Sequence, residues 1–102
     1  MFDPNTLIGY IVNGQYRLAS LGGTGSYGWV YAADEVAFGE VIGQVAVKLL
    51  RPPDDDARNA VIREVQAMRQ LTHPNLLRCY GAGEVSDGLA RGGLYIATEL
   101  AS

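Results

Sequence analysis

The pattern G-x-G-x-x-G over residues 23–28 (GTGSYG) constrains this chain most, because the residues after it favour a strand. Glycines without side chains let backbone N–H groups approach phosphate oxygens closely, although the same spacing also fits a plain turn. Trp29, Val30 and Tyr31 are aromatic or β-branched, so they extend a strand better than they start a helix. The pattern therefore predicts a flap between two strands. It argues against a dinucleotide-binding fold, in which the motif opens a helix.

Composition limits the classes of function that the chain can have. The 102 residues carry a net charge of −3, and their basic residues are scattered, so no surface for nucleic acid or anionic lipid is predicted. One cysteine, Cys79, and one histidine, His73, exclude an internal disulfide and a zinc cluster. No apolar run approaches the ~18 residues that a membrane helix needs. We expect one small cytoplasmic domain without membrane contact from this segment.

Strand-like segments alternate with turn signals along most of the chain. The dipeptide Asn13-Gly14 tolerates positive φ at both residues and predicts a hairpin between two of them. Residues 34–43 are polar and contain glycine, so they are expected to form a loop, as is the glycine-rich stretch 81–93. The predicted strands are residues 7–12, 15–21, 29–33, 44–50, 76–80 and 94–99.

One helix is predicted, over about residues 56–71. Asp54, Asp55 and Asp56 offer N-cap oxygens and complement the positive end of the helix dipole. The pair His73-Pro74 ends the helix, because the residue before proline is forced out of the helical region. Together these elements predict an α+β fold, an antiparallel sheet of about five strands with one major helix packed on it. The apolar stripe that would pack on the sheet consists of Val61, Val65, Met68 and Leu71.

Two charged residues have no evident local partner. Lys48 is the only lysine of the chain and closes an apolar strand, where a snorkelling role is the simplest interpretation. Glu64 lies on or beside the apolar stripe, and no basic residue stands three or four positions away. A carboxylate on an apolar face is costly without a cation. Two alternatives remain open at this point, a Lys48–Glu64 pair or a solvated Glu64 at the edge of the stripe.

These motifs, in this order, resemble the N-terminal lobe of protein kinases. The glycine pattern with Val30, the sequence Val-Ala-Val-Lys ending at Lys48, and a helix carrying an inward Glu64 are the signatures of that family. The tripeptide at residues 73–75 is similar to the His-Pro-Asn that links helix and strand in kinases. Residues 94–100 look like the strand that runs into the hinge. The resemblance covers residues 15–102.

The resemblance implies roles for individual residues. Lys48 would hold the α- and β-phosphates of ATP, Glu64 would fix that lysine, and these two are the implied catalytic residues. Thr98 would be the gatekeeper beside a back pocket, while the backbone of Glu99 and Ala101 would hydrogen-bond the adenine edge. Met68 and Cys79 would belong either to a hydrophobic column toward the second lobe or to plain core. The implied nucleotide contacts are Gly23, Thr24, Gly25, Ser26, Tyr27, Gly28, Val30, Ala46, Lys48, Thr98, Glu99 and Ala101.

One position departs from the family pattern. Kinases usually place Leu or Ile directly before the first glycine of the loop, where it touches adenine. Here that position is Gly22, and Leu21 stands one residue earlier. Either a bulge in the strand brings Leu21 into the position that touches adenine, which we name the roof of the site, or this contact is missing.

The resemblance implies that the parent protein transfers the γ-phosphoryl group of ATP, with Mg²⁺, to Ser or Thr hydroxyls of proteins. The catalytic-loop string His-Arg-Asp and the metal-binding string Asp-Phe-Gly are absent from the 102 residues, so no metal ligand is expected here. Residues 15–102 then form a lobe truncated at the hinge, and residues 1–14 form a lead-in with a possible extra strand. This chain alone is expected to be inactive. The alternative is a pseudokinase lobe that acts as a nucleotide-binding or regulatory interaction module.

Truncation at the hinge would also uncover an apolar surface. A lobe without its partner lobe exposes the side that would face it, and exposed apolar patches of a few hundred Å² favour association. The sequence therefore predicts that the chain can form a homodimer. The predicted surface consists of Val30, Ala46, Met68, Leu71, Cys79 and Leu100.

Overall fold

The computed structural model describes residues 3–24, 28–70 and 78–100, which form one antiparallel sheet and one α-helix. The predicted α+β class is confirmed, with six strands in the order β1-β2-β3-β4-β6-β5 where about five were expected. A short 3-10 helix, Pro4–Leu7, precedes them. The elements are β1 (Ile11–Val12), β2 (Tyr16–Thr24), β3 (Gly28–Ala37), β4 (Glu40–Leu50), α1 (Asp55–Gln70), β5 (Cys79–Glu84) and β6 (Leu94–Glu99).

The start of the chain differs from its prediction as a strand over residues 7–12. Asp3 caps the 3-10 helix, since its carboxylate accepts a hydrogen bond from the Asn5 N–H at 2.9 Å, and Pro4 fits its first turn. Gly9 then adopts φ +93°, which turns the chain and limits β1 to two residues. The predicted hairpin turn is confirmed, because Asn13 and Gly14 have φ values of 49° and 73°.

The expected loop over residues 34–43 is wrong. β3 and β4 pair almost to their ends and are joined at Phe38 and Gly39, whose φ values are 57° and 75°. Cross-strand contacts outweigh the polar composition of the segment. One of them is the ion pair between Arg17 on β2 and Asp34 on β3, at 2.9 Å. The consequence is a long hairpin, with one irregularity between Glu35 and Val36, where the sequence indicated a loop.

β5 corrects the prediction for the glycine-rich stretch. The expected strand 76–80 begins outside the described residues, and β5 continues through Gly81 and Gly83, which were assigned to a loop. A Cβ atom at Gly81 would lie 2.7 Å from the Tyr16 hydroxyl oxygen, and one at Gly83 would lie 3.2 Å from the Tyr95 ring. A larger residue at either position would require one of these two tyrosine side chains to shift.

The main core lies on one face of the sheet and includes the start of the chain. Tyr31 on β3 is fully buried, and its hydroxyl donates to the Pro4 carbonyl oxygen at 2.7 Å. Leu7 and Val12 pack with the strands and with the loop that joins β5 to β6. The buried members are Leu7, Val12, Tyr16, Leu18, Trp29, Tyr31, Ala33, Val45, Val47, Leu49, Val85, Ala90, Tyr95 and Ala97.

The helix packs lightly on the opposite face. Asp54 caps it as predicted, accepting a hydrogen bond from the Ala57 N–H at 2.8 Å. None of its residues is fully buried. The predicted stripe is confirmed for its described members, Val61, Val65 and Met68, which are half-buried, whereas Leu71 and the His73-Pro74 terminator lie outside the described residues. Their partners on the sheet are Leu50, Leu94, Ile96 and Cys79.

Side-chain hydrogen bonds tie the lead-in to the β5–β6 loop. The Tyr10 hydroxyl contacts both the carboxylate and the carbonyl oxygen of Asp87, the latter at 2.7 Å. The Asn13 amide donates to the Glu84 carbonyl oxygen at 2.9 Å and accepts from the Ser86 N–H at 3.0 Å. These contacts link residues more than 70 positions apart in sequence.

Replacing Tyr10 with phenylalanine tests this link through its pH dependence. Burial, together with the hydrogen bond and charge of Asp87, raises the pKa of Tyr10 to about 12. A raised pKa favours the neutral hydroxyl in the folded state, so its stabilisation is complete below pH ~10 and is lost as the pH rises toward 12. We expect Tyr10→Phe to lower the free energy of unfolding at pH 8 by about 1 kcal/mol and to flatten its decline above pH 10.

Urea unfolding at pH 8, 10 and 11.5 measures both effects. The control is Tyr80→Phe, because Tyr80 is exposed. An unchanged pH slope in Tyr10→Phe would contradict the assignment.

Candidate nucleotide site

Four side chains of the predicted nucleotide site lie on one face of the sheet. Val30 stands opposite Lys48, and Ala46 stands opposite Thr98. Residues directly opposite each other in an antiparallel pair point to the same side. Along β4 the odd-numbered Val45, Val47 and Leu49 are buried in the main core, so Ala46 and Lys48 point away from it. The side chains of Val30, Ala46, Lys48 and Thr98 therefore share the face that also carries α1.

The glycine-rich stretch joins two paired strands, as predicted. Thr24 at the end of β2 stands opposite Trp29 near the start of β3. Gly28 thus opens a strand rather than a helix, which excludes the dinucleotide-binding arrangement. Gly25, Ser26 and Tyr27 lie outside the described residues.

The first and last glycines of the motif, Gly23 and Gly28, have different surroundings. A Cβ atom at Gly28 would overlap the carbonyl oxygen of Leu49 on β4, so this glycine is required by the sheet itself. A Cβ atom at Gly23 would meet nothing within 4 Å. Contacts with the described residues therefore do not require glycine at Gly23.

A matched pair of alanine variants tests this difference. We expect Gly28→Ala to destabilise the fold by about 1–3 kcal/mol, because the methyl group forces β3 and β4 apart. Gly23→Ala is expected to change the free energy of unfolding by less than ~0.5 kcal/mol. Chemical denaturation of both variants measures the difference, and equal destabilisation would contradict the assignment.

Leu21 does not reach the roof of the site. Two irregularities interrupt the pairing of β2, one between Leu18 and Ser20 and one between Leu21 and Gly23. The resulting register sets Leu21 opposite Tyr31, and Leu21 packs against the main core. Of the two alternatives left open by the sequence, the structure supports the missing contact.

Lys48 and Glu64 face the same groove without forming an ion pair. Both side chains are exposed, and both line a space of about 660 Å³ between β4 and α1. The only ion pair found within residues 3–24, 28–70 and 78–100 is the one between Arg17 and Asp34. Glu64 therefore borders the same groove as the lysine and stays exposed to solvent. Because α1 buries none of its residues, few contacts oppose its movement toward β4.

Arg51 adds a second cation to this groove, which sequence reasoning missed. It lies just beyond the end of β4, where strand alternation no longer predicts the direction of a side chain. Its guanidinium stacks over the Trp29 ring, 4.7 Å from the centroid. Trp29 pairs with Leu49, two residues before Arg51, so this contact follows from the β3–β4 register, which the linear sequence does not give.

The predicted hinge residues lie at the end of β6. Thr98 is half-buried and stands between Ala46 on β4 and Cys79 on β5. The Glu99 N–H donates to the Arg78 carbonyl oxygen at 2.8 Å. Because this N–H is already in a hydrogen bond, the backbone group of Glu99 that remains for a contact with adenine is its carbonyl oxygen. Ala101 lies outside the described residues.

Comparison with known proteins identifies the family. The sequence profile of the family "Protein tyrosine and serine/threonine kinase" matches residues 17–102, so the chain belongs to the protein kinase family and forms its N-terminal lobe. Among its relatives, the CBL-interacting protein kinase 4 of rice (Oryza sativa subsp. japonica) is 39% identical over 87% of this chain. The serine/threonine-protein kinase PrkC of Bacillus subtilis is 32% identical over 79% of this chain.

A solved structure shows the same fold. The kinase domain of PknI from Mycobacterium tuberculosis superposes with a TM-score of 0.70 and 29% identity, over 91% of this chain and 35% of that one. The chain spans 19% of the rice kinase and 12% of the Bacillus kinase. Within the described segments, no helix is long and apolar enough to cross a membrane.

Proposed function

We propose that this chain is the ATP-binding lobe of a cytoplasmic protein kinase that phosphorylates serine or threonine. The observation that carries the proposal is the shared face of Val30, Ala46, Lys48 and Thr98, with an exposed lysine beside an open groove. An apolar surface next to an unpaired cation suits a flat base linked to phosphates. The names of the relatives in rice and Bacillus support a kinase, and that of PrkC supports the Ser/Thr preference.

Each residue contributes a separate part of nucleotide binding. Val30 and Ala46 pack on adenine, and the carbonyl group of Glu99 accepts a hydrogen bond from its edge, with Ala101 as the second backbone contact. The ammonium of Lys48 binds the α- and β-phosphates under the flap that runs from Gly23 to Gly28. ATP supplies the phosphoryl group that the whole kinase transfers, and its Mg²⁺ is held by residues that this chain does not carry.

Glu64 acts as a positioning residue. When α1 moves toward β4, the Glu64 carboxylate can pair with Lys48 and fix its side chain along the phosphates. In the present arrangement the groove separates the two charges. The retention of Lys48, Glu64 and all three glycines favours an active kinase over a pseudokinase module.

The nucleotide face also offers a surface for homodimerisation. Val30 is 40% exposed and Leu100 is 38% exposed, and both are apolar. In a complete kinase the second lobe would cover this side. A homodimer that covers this face would compete with ATP.

Nucleotide titration together with a phosphotransfer assay tests the proposed function. We expect the purified chain to bind a fluorescent ATP analogue weakly, in competition with unlabelled ATP, and to transfer no phosphate to itself or to casein. The reason is that phosphoryl transfer needs a base and metal ligands in place. Absence of any ATP competition at millimolar nucleotide would refute the binding role. Transfer that co-purifies with the chain through two orthogonal columns would refute the predicted inactivity.

A further inference from the structure

One side-chain amide joins the lead-in to the β5–β6 loop. The Asn13 Nδ2 donates to the Glu84 carbonyl oxygen at 2.9 Å, and the Asn13 Oδ1 accepts from the N–H and the hydroxyl of Ser86, both at 3.0 Å. A backbone carbonyl only accepts and a backbone N–H only donates, so these partners fix the orientation of the amide. An ionised carboxylate in its place would lack the donor that the Glu84 carbonyl oxygen requires.

The same asparagine precedes a glycine, which makes the dipeptide chemically labile. Gly14 is exposed, and a Cβ atom there would meet nothing within 4 Å. In a chain that is free to rotate, the Gly14 nitrogen attacks the Asn13 Cγ, its proton leaves with the side-chain nitrogen as ammonia, and a five-membered imide ring forms. Water then opens this ring at either carbonyl group, which leaves aspartate or isoaspartate. The net reaction exchanges an amide NH2 for the OH of water and needs no oxidant and no metal ion.

The fold opposes this ring closure at two points. Asn13 and Gly14 form the hairpin turn, with φ values of 49° and 73°, and the Gln15 N–H closes it by donating to the Val12 carbonyl oxygen at 2.9 Å. For the ring to form, the amide must turn onto the Gly14 nitrogen, whereas its three hydrogen bonds hold it against the β5–β6 loop. The reaction must therefore wait for a local opening of this contact.

A second dipeptide capable of the same ring closure lies across this contact. Asp87-Gly88 is the one Asp-Gly pair of the sequence, as Asn13-Gly14 is its one Asn-Gly pair. The Tyr10 hydroxyl contacts the Asp87 carboxylate, and a Cβ atom at Gly88 would lie 2.9 Å from the Tyr10 ring, so the ring covers this glycine. Both labile dipeptides of the chain are thus closed by one contact, that between the lead-in and the β5–β6 loop.

We propose that Asn13 is a site of deamidation that the docked lead-in keeps closed, and that its modification opposes renewed docking of the lead-in. Aspartate at this position would set a charged acceptor 2.9 Å from the Glu84 carbonyl oxygen, so that two acceptors face each other. Rotating the carboxylate supplies no donor. Each opening of the contact therefore exposes the chain to a permanent change. None of the nucleotide-site residues takes part, so the proposal does not depend on ATP binding.

Peptide mass spectrometry of the chain, incubated at mildly alkaline pH with and without guanidinium chloride, tests the protection. Asn13 should deamidate at least about tenfold faster in the unfolded chain, since a contact that is open less than a tenth of the time slows the reaction by that factor. Asn59 is the internal control, because it precedes Ala60, whose methyl group hinders ring closure. It should stay intact in both samples.

Tyr10→Phe tests whether the lead-in provides the protection. This variant removes the hydroxyl that bonds Asp87, so the contact opens more often and Asn13 should deamidate about two- to tenfold faster in the folded chain. Tyr80→Phe is the control and should leave the rate unchanged, because Tyr80 is exposed. An equal rate in both variants would overturn the proposed role of the lead-in.

Asn13→Asp imitates the modified chain. Asp tolerates positive φ as Asn does, so a loss of stability would come from the side-chain contacts rather than from the turn. We expect its equilibrium constant of unfolding to rise about 5- to 50-fold, measured in urea. Asn59→Asp makes the same change of charge at an exposed position of α1 and should change this constant by less than about twofold.

Equal rates of deamidation in the folded and the unfolded chain, or an intact Asn13 in guanidinium chloride, would overturn the proposal. A faster reaction in the folded chain would also overturn it, since the hydrogen bonds from Ser86 would then activate the amide instead of protecting it. An Asn13→Asp variant as stable as Asn59→Asp would show that the modification leaves docking unaffected, which contradicts the second half of the proposal. If Asn13→Asp does not fold, urea unfolding of the chain deamidated at Asn13, purified from the incubation, decides the same point.

Discussion

Replacing Lys48 with methionine is expected to weaken ATP binding about 10- to 100-fold while leaving the fold unchanged. A hydrogen bond between charged groups contributes about 1.5–3 kcal/mol, and each 1.4 kcal/mol is a factor of about ten in affinity. The lysine side chain is exposed and forms no ion pair with the described carboxylates, so its removal should change the free energy of unfolding by less than ~0.5 kcal/mol. Competition titration with a fluorescent ATP analogue measures the affinity, and urea unfolding measures the stability.

The matched control is Arg63→Met. Arg63 is an exposed cation on α1 that does not line the groove between β4 and α1, so this variant has the same net charge as Lys48→Met. The Arg63→Met variant measures how much ATP affinity is lost when one positive charge is removed anywhere on the chain. This long-range attraction is screened by salt. Equal weakening of ATP binding by both variants would show that Lys48 makes no specific phosphate contact.

Glu64→Gln tests whether α1 moves toward β4 when ATP binds. If the helix keeps the position seen here, Glu64 and Lys48 stay unpaired and the variant should bind ATP as the unmodified chain does. If α1 moves toward β4, the lost ion pair should weaken ATP binding by a factor of a few, since exposed pairs contribute about 0.2–1 kcal/mol. The structure favours the second result, because α1 contributes only half-buried residues to its contact with the sheet and few contacts oppose its movement toward β4.

Local sequence was sufficient to predict the central part of the fold. Trp29, Val30 and Tyr31 favour a strand by themselves, and Asn13-Gly14 specifies its own turn. The predictions of secondary structure were wrong where contacts between residues distant in sequence determine it. Most of residues 34–43 are strand through pairing between β3 and β4, and Gly81 lies in a strand through its pairing with Ala97 on β6. Neither contact is visible in a linear sequence.

The candidate site was predicted in part for the same reason. Strand alternation identifies Lys48 as a residue that points away from the core, and the Val-Ala-Val-Lys string that follows the glycine motif indicates the family. The face of the sheet to which the Leu21 side chain points depends on two irregularities in β2. No sequence pattern predicted these irregularities. The separation of Lys48 from Glu64 depends on how closely α1 packs on the sheet. Periodicity predicts which face of a helix is apolar, but not its distance from its partner.

Replacing Leu7 with alanine is expected to destabilise the chain by about 2–5 kcal/mol, a large part of the 5–15 kcal/mol typical of a folded domain. The sequence interpretation sets residues 1–14 apart as a lead-in, yet Leu7 is 2% exposed and packs in the main core. Truncating it removes apolar contacts and leaves a cavity beside Val12. Urea and thermal unfolding of the purified variant measure the loss.

Ile8→Ala is the control for this prediction, because Ile8 is the next residue, is also aliphatic, and is 40% exposed. It should cost about 1 kcal/mol or less, since the solvent already reaches much of its side chain. A large difference between the neighbouring variants would place the boundary of the folded lobe before residue 7, because the core then needs the segment ahead of β1. Equal and small effects would leave residues 1–14 as a separable lead-in, and the lobe would then begin at β2.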